Sequence, residues 1–150
     1  MLSSALGLLL SAPAAIHAAV LQPQSAEIEV RSALVEMNAA AAELDADRFM
    51  VWYWNSPSLV ITFDDQTMEG WQAILSQQKE WWSDKSSGVQ YAEERPAMVI
   101  VQSADVVTTV QWMAVRDGQG ALLTRLVVTS IWKKLPEGWR IVLAHETLNT

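Results

Sequence analysis

Leu122-Leu-Thr-Arg-Leu-Val-Val-Thr-Ser-Ile-Trp-Lys-Lys-Leu-Pro-Glu-Gly-Trp-Arg-Ile-Val-Leu-Ala-His-Glu-Thr147 reads as two apolar strands joined by a Pro136-Glu137-Gly138 turn. The second strand opens on Trp139 and carries, near its end, His145, the one histidine outside the N-terminal leader. Upstream the same character continues. Residues 89–101 form one long extended segment, with Pro96 at a bulge or an edge position. Residues 106–116 follow the Ser103-Ala104-Asp105 turn, and Asp117-Gly-Gln-Gly120 makes a hairpin loop. Together these segments predict an antiparallel meander from Val89 to the end of the chain.

The preceding part is helical. Ser25 is placed to cap a helix whose first turn carries Glu27 and Glu29, where carboxylates suit the positive helix end. Ile28, Leu34, Val35, Met37, Ala41 and Leu44 recur at helical spacing. Asp45 starts a second short helix bearing Phe49, Met50, Trp52 and Tyr53, which Asn55-Ser-Pro57 ends. Residues 58–63 read as a strand, Asp64-Asp65-Gln66 as a turn and Thr67-Met68 as a brief return strand. Gly70 opens a third helix with Trp71, Ile74, Leu75, Gln78 and Trp82 along one stripe. Helices first and a bent sheet afterwards make an α+β arrangement.

A chain of 150 residues, 51% apolar, buries one sizeable core, and residues 26–150 read as a single domain. Its eight tryptophans are too many for a surface, so most line a core, a pocket or an interface. The net charge of −7 argues against a nucleic-acid partner, which needs a basic stripe. No cysteine is present, which excludes disulfides, thiol chemistry and a thiolate metal site. With a single histidine beyond the leader a zinc site has little to rest on, and neither metal nor cofactor is expected.

The first charged side chain is Glu27. Ahead of it, Leu6-Gly-Leu-Leu-Leu10 is a short apolar centre, and Ala12, Ala14, Ala18 and Ala19 are small residues of the kind signal peptidase accepts. Residues 1–19 are therefore expected to be a cleaved export signal, although a basic n-region is missing, and the mature protein to be periplasmic or secreted, with no membrane association after cleavage.

Three blocks in order carry a resemblance. They are Leu44-Asp-Ala-Asp-Arg-Phe-Met50 leading to Tyr53-Trp-Asn-Ser-Pro-Ser-Leu59; Met68-Glu-Gly-Trp-Gln-Ala-Ile74; and Thr129-Ser-Ile-Trp132 followed by Gly138-Trp-Arg-Ile-Val142 and His145. Over residues 28–148 the chain resembles the nuclear transport factor 2-like, or SnoaL-like, superfamily, and among its members small exported bacterial proteins. The third block is also similar to the association domain of calcium/calmodulin-dependent protein kinase. The resemblance implies a cone-shaped fold in which a curved mixed or antiparallel sheet wraps around N-terminal helices and leaves a pocket between them. The steroid-isomerase members place an aspartate base on the strand before the third helix, where this chain has Ile61, which takes no proton. The kinase domain has a pocket arginine where this chain has Ser130, and a different residue where it has Glu146. The fold itself hosts many activities.

The catalytic candidates are His145 and Asp64. Imidazole titrates near neutral pH, and by alternation His145 shares a face with Trp139, Ile141 and Leu143, which would put it at the pocket mouth. The other reading is that it pins the final strand to a neighbour. Asp64, beside Asp65, is either half of a carboxylate pair with a raised pKa or a turn residue bonding backbone. Arg125 and Arg140 are cationic candidates, more naturally solvent-facing. The tryptophans at 52, 54, 81, 82, 112 and 132 are expected around one cavity. Ligand-binding candidates are Tyr53, Trp82, Gln111, Trp112, Ser130 and Trp132, although Gln111 and Trp112 point to opposite faces of their strand. Three functions are consistent with this. The first is an exported, homodimeric binding protein for a hydrophobic small molecule. The second is an isomerase, dehydratase or cyclase using His145, and the third a homo-oligomerisation module.

Overall fold

The computed structural model describes residues 14–149, with side chains from residue 24 onward. Residues 1–13 of the expected export signal lie outside the described residues. The first helix, α1 (Ala14–Ala42), runs through the position expected for its cap. Ser25 therefore lies within the helix and its hydroxyl donates to Glu29 Oε1 at 2.7 Å. Its buried stripe is Ala26, Val30, Ala33, Leu34, Met37, Ala40 and Ala41, and Leu44 is buried just past its end. That spacing keeps one helix face on the sheet. Ile28 and Val35, expected in the same stripe, fall on the other side and are exposed.

Asp45 caps α2 (Ala46–Met50), accepting the Arg48 N–H at 3.1 Å. This helix ends earlier than the aromatic run suggested, because Trp52 to Trp54 is captured as extended chain. Ile141 N–H donates to Trp52 O at 2.8 Å, and Trp54 N–H donates to Ile141 O at 2.9 Å. Then come β1 (Val60–Phe63), β2 (Gln66–Glu69) and α3 (Trp71–Trp81), followed by β3 (Gln90–Val101), β4 (Val106–Arg116), β5 (Leu122–Leu135) and β6 (Gly138–Asn149). Gly70, at φ +86° ahead of α3, takes a conformation that side-chain-bearing residues rarely adopt.

The six strands form one sheet in the order β2-β1-β6-β5-β4-β3. The β3–β6 meander is antiparallel as expected, and β1 adds to it parallel to β6. Pro96 sits on the edge strand β3, where the register shifts twice. Helix α1 covers the inner face of the meander. Between them lies the core, with Val30, Met50, Leu59, Val107, Trp132 and Ile141 at its centre.

One irregularity decides which residues face that core. Ile131 pairs with Leu143 but Trp132 pairs with Ile141, so Val142 is an extra residue on β6. A bulge of this kind exchanges the two faces of the strand beyond it. Trp139 and Ile141 point inward before the bulge, and Ala144, Glu146 and Leu148 point inward after it. Leu143 and His145 therefore leave the inner face on which simple alternation put them, and both are exposed.

Candidate functional site

Between the helices and the inner face of β3–β6 is a cavity of about 360 Å³. Helix α1 contributes Met37, Asn38 and Ala41, α2 contributes Phe49, and α3 contributes Gln78 and Trp81, with Trp82 just past its end. The sheet side is set by cross-strand register. Gln111 faces Val128, which faces Glu146, and Met113 faces Leu126, which faces Leu148. The parallel pairing of β1 with β6 sets Phe63 beside Glu146. Tyr53 enters from the segment bridged to Ile141.

The walls are largely aromatic. Phe49 meets Trp82 edge-on at 5.1 Å between centroids and Tyr53 at 5.6 Å, while Phe63 and Trp81 lie 5.5 Å apart. Trp82 Nε1–H donates to the Tyr91 hydroxyl at 3.1 Å. The Gln111 amide donates to Asn38 Oδ1 at 3.3 Å and Glu93 Oε1 at 3.2 Å, which fixes one polar corner.

At the other end Glu146 presents its carboxyl to the cavity, and burial pushes its pKa up to about 7. Among the described residues no side chain hydrogen-bonds this carboxyl, and no Lys, Arg or His lines the cavity. Burial first, and then the charge of Glu146, raises the Tyr53 hydroxyl well above the usual tyrosine value. A neutral phenol beside a carboxyl that titrates near neutrality can accept, donate or hold a proton.

The structure divides the residues expected at the site. Tyr53, Trp82 and Gln111 line the cavity. Trp112 lies on the opposite sheet face, where the Arg95 guanidinium stacks 3.4 Å over its ring. Ser130 and Trp132 face inward but belong to closed core; Trp132 is fully buried and donates Nε1–H to Thr109 Oγ1 at 3.0 Å. Of the tryptophans expected around one cavity, only Trp81 and Trp82 border it.

His145 lies outside the cavity, its Nδ1 hydrogen-bonded to the Thr62 hydroxyl on the neighbouring strand and its Nε2 3.2 Å from the Thr147 hydroxyl. Asp64 sits in the β1–β2 turn, and its Oδ1 accepts the Leu148 N–H at 2.9 Å. Both tie β6 to β1. Arg125 pairs with Glu94 on the surface, and Arg140 donates to the Trp139 carbonyl. Among the described residues no three His, Asp or Glu side chains converge as metal ligands. Sequence reasoning named Trp81 among the cavity tryptophans but passed over Glu146, Phe63 and Phe49 as lining residues. Glu146 had one signal, as the one carboxylate of the final strand, but its direction depends on the bulge.

Residues 30–148 match the family model described as the SnoaL-like domain. The chain belongs to the SnoaL-like domain family. Solved structures share its fold. A nuclear transport factor 2-like protein with a cystatin-like fold from Novosphingobium aromaticivorans matches with TM-score 0.78 and 19% identity, over 92% of this chain and 91% of that one. A nuclear transport factor 2-like protein of unknown function from Pseudomonas putida matches with TM-score 0.73 and 13% identity, over 83% and 87%. Another of unknown function, from Shewanella oneidensis, matches with TM-score 0.66 and 20% identity, over 79% and 96%. No protein of curated function matches the chain. At these identities the likeness is one of fold. A SnoaL-like domain can hold small molecules or act on them, and only the lining of this cavity speaks for this member.

Proposed function

We propose that this SnoaL-like protein binds a small, largely apolar molecule in the cavity between its helices and sheet. The observation that carries the proposal is the lining: a space of about 360 Å³ walled by aromatic and aliphatic side chains, with Glu146 and Tyr53 as polar groups directed into it. Ligand pockets have this character, with mostly apolar walls and a few convergent polar groups to orient the ligand. The apolar leader adds export to the proposal, and the exposed apolar outer face of the sheet, with Met98, Ile100 and Leu143, adds homodimerisation. Native mass spectrometry of protein purified gently from its own host tests the reading. A discrete extra mass on the folded protein is the expected result; an empty protein whose tryptophan fluorescence responds to no apolar compound overturns it.

A second reading is proton-transfer catalysis on such a molecule, favoured by one observation, a cavity carboxyl held near pKa 7. In this reading Glu146 takes the role first considered for His145. It requires turnover that Glu146→Gln abolishes and His145→Ala leaves intact.

A further inference from the structure

Resting on the binding reading above, we infer that the ligand is an apolar cation, a substituted ammonium whose charged head is received by Glu146 among the rings of Phe49, Tyr53, Phe63 and Trp81. Three features of the site converge on this class. First, these rings and Glu146 border both the main cavity and a small recess at its β1 end, so the carboxyl and the aromatic faces meet at one place. Aromatic faces attract cations through their quadrupole, and aromatic cages recognise quaternary ammonium groups.

Second, the carboxyl has no cationic neighbour. The groups that line the cavity with it are neutral on every element. They include Asn38 and Met37 on α1, Phe49 on α2, Gln78 and Trp81 on α3, Phe63 on β1, Tyr91 on β3, Gln111 and Met113 on β4, Leu126 and Val128 on β5, and Leu148 on β6. Charged groups on or beside those elements have partners of their own. Lys79 pairs with Asp47 at 2.7 Å, Arg48 pairs with Glu43, Glu93 accepts from Gln111, and Asp64 accepts the Leu148 N–H. A buried carboxylate without a counter-ion is costly, and a ligand that brings the positive charge relieves that cost. Third, the pocket selects against the alternatives. An anionic ligand would meet a carboxylate and no cation, and a neutral one would bring no charge to balance the ionised carboxyl.

Burial leaves Glu146 about half ionised near pH 7, so a cation that needs the carboxylate binds with proton release. A permanently charged probe has no titration of its own, so any pH dependence of its binding reports the protein. The probes are benzyltrimethylammonium and its uncharged carbon isostere neopentylbenzene, followed by titration calorimetry and tryptophan quenching at pH 5 and pH 8. The competent fraction of Glu146 changes by nearly two orders of magnitude across that interval, so the cation should bind at least about tenfold tighter at pH 8. Neopentylbenzene should show no such change, and Glu146→Gln should erase both the pH dependence and the preference for the cation while still binding neopentylbenzene. Equal binding of the two probes at pH 8, or a charge preference that survives in Glu146→Gln, overturns the cation assignment and leaves the apolar cavity standing. Binding of neither probe at either pH overturns the cavity reading together with it.

Discussion

Glu146 and Glu29 are carboxyl groups that the fold displaces in opposite directions, and each displacement carries a stability consequence. Glu146 moves from 4.5 to about 7 because burial penalises its charge. Below pH 4.5 it is protonated in the folded and unfolded chain alike and has no effect. Between 4.5 and 7 the folded form holds the proton longer, so stability falls as pH rises, and above about 7 the loss is complete. A displacement of that size corresponds to about 3 kcal/mol at most. Glu29 is drawn down to about 2, first by the Lys134 ammonium and then by Ser25, with Trp139 also donating to it. Its contribution is complete above 4.5 and disappears as pH falls towards 2. Thermal melting across pH should therefore peak near the ordinary carboxylate range, about pH 4.5. In Glu146→Gln the decline on the alkaline side should flatten, raising stability at pH 8 by up to about 3 kcal/mol. A melting curve for Glu146→Gln that still falls between pH 5 and 7 as the parent's does would show that other groups set the profile.

At the scale of elements, the β1–β2 hairpin and α3 are held to the sheet by a few backbone devices. Gly70 adopts φ +86° and ψ 129° ahead of α3, while an added Cβ would meet only Pro57 at 3.7 and 3.8 Å, an ordinary contact. The cost of Gly70→Ala is thus backbone strain rather than collision, about 1–3 kcal/mol, read as a lower urea midpoint with an unchanged slope. Asp64, at φ +50°, accepts the Leu148 N–H and so fastens the hairpin to the end of β6. Asp64→Ala should cost about 1 kcal/mol through the lost acceptor and leave ligand affinity within twofold; an affinity loss beyond tenfold would return Asp64 to the site. Much of this scale was readable in the chain: Asp45 as a cap, Gly70 as a helix opener, Pro96 as an edge residue. Each is a local signal that acts through its own backbone. The end of α2 was not readable, because Ile141, far away in sequence, draws Trp52 and Trp54 into extended pairing.

For the molecule as a whole, the sheet has one face packed under α1 and one face open. On the open face Met98 pairs with Val110 and Ile100 with Thr108; Met98 is 50% exposed and Ile100 43%. Exposed apolar residues on an open sheet face are where the proposed self-association would be seated. Met98→Lys combined with Ile100→Lys should turn a dimer into a monomer in sedimentation equilibrium, with ligand binding retained because the cavity lies on the other side of the sheet. A parent protein that sediments as a monomer at every concentration would remove the dimer from the proposal. The fold should tolerate such a change because its core, centred on Trp132, Met50 and Leu59, lies between the helices and the inner face of the sheet.

The order of elements, the turns at Asp64-Asp65 and Pro136-Glu137-Gly138, the buried stripe around Leu34, Met37, Ala41 and Leu44, and membership of an α+β architecture were settled by the chain alone. Each depends on periodicity or on the conformational limits of single residues, which act over a few positions. The makeup of the cavity was settled only in three dimensions. One extra residue at Val142 exchanged His145 for Glu146 on the inner face of β6, and the parallel docking of β1 placed Phe63 beside that carboxyl. Register between strands distant in sequence carries no local signature, since a step of one residue reverses every side chain beyond it. The order of elements was therefore legible in the chain, while tertiary pairing chose which residue of β6 faces the cavity.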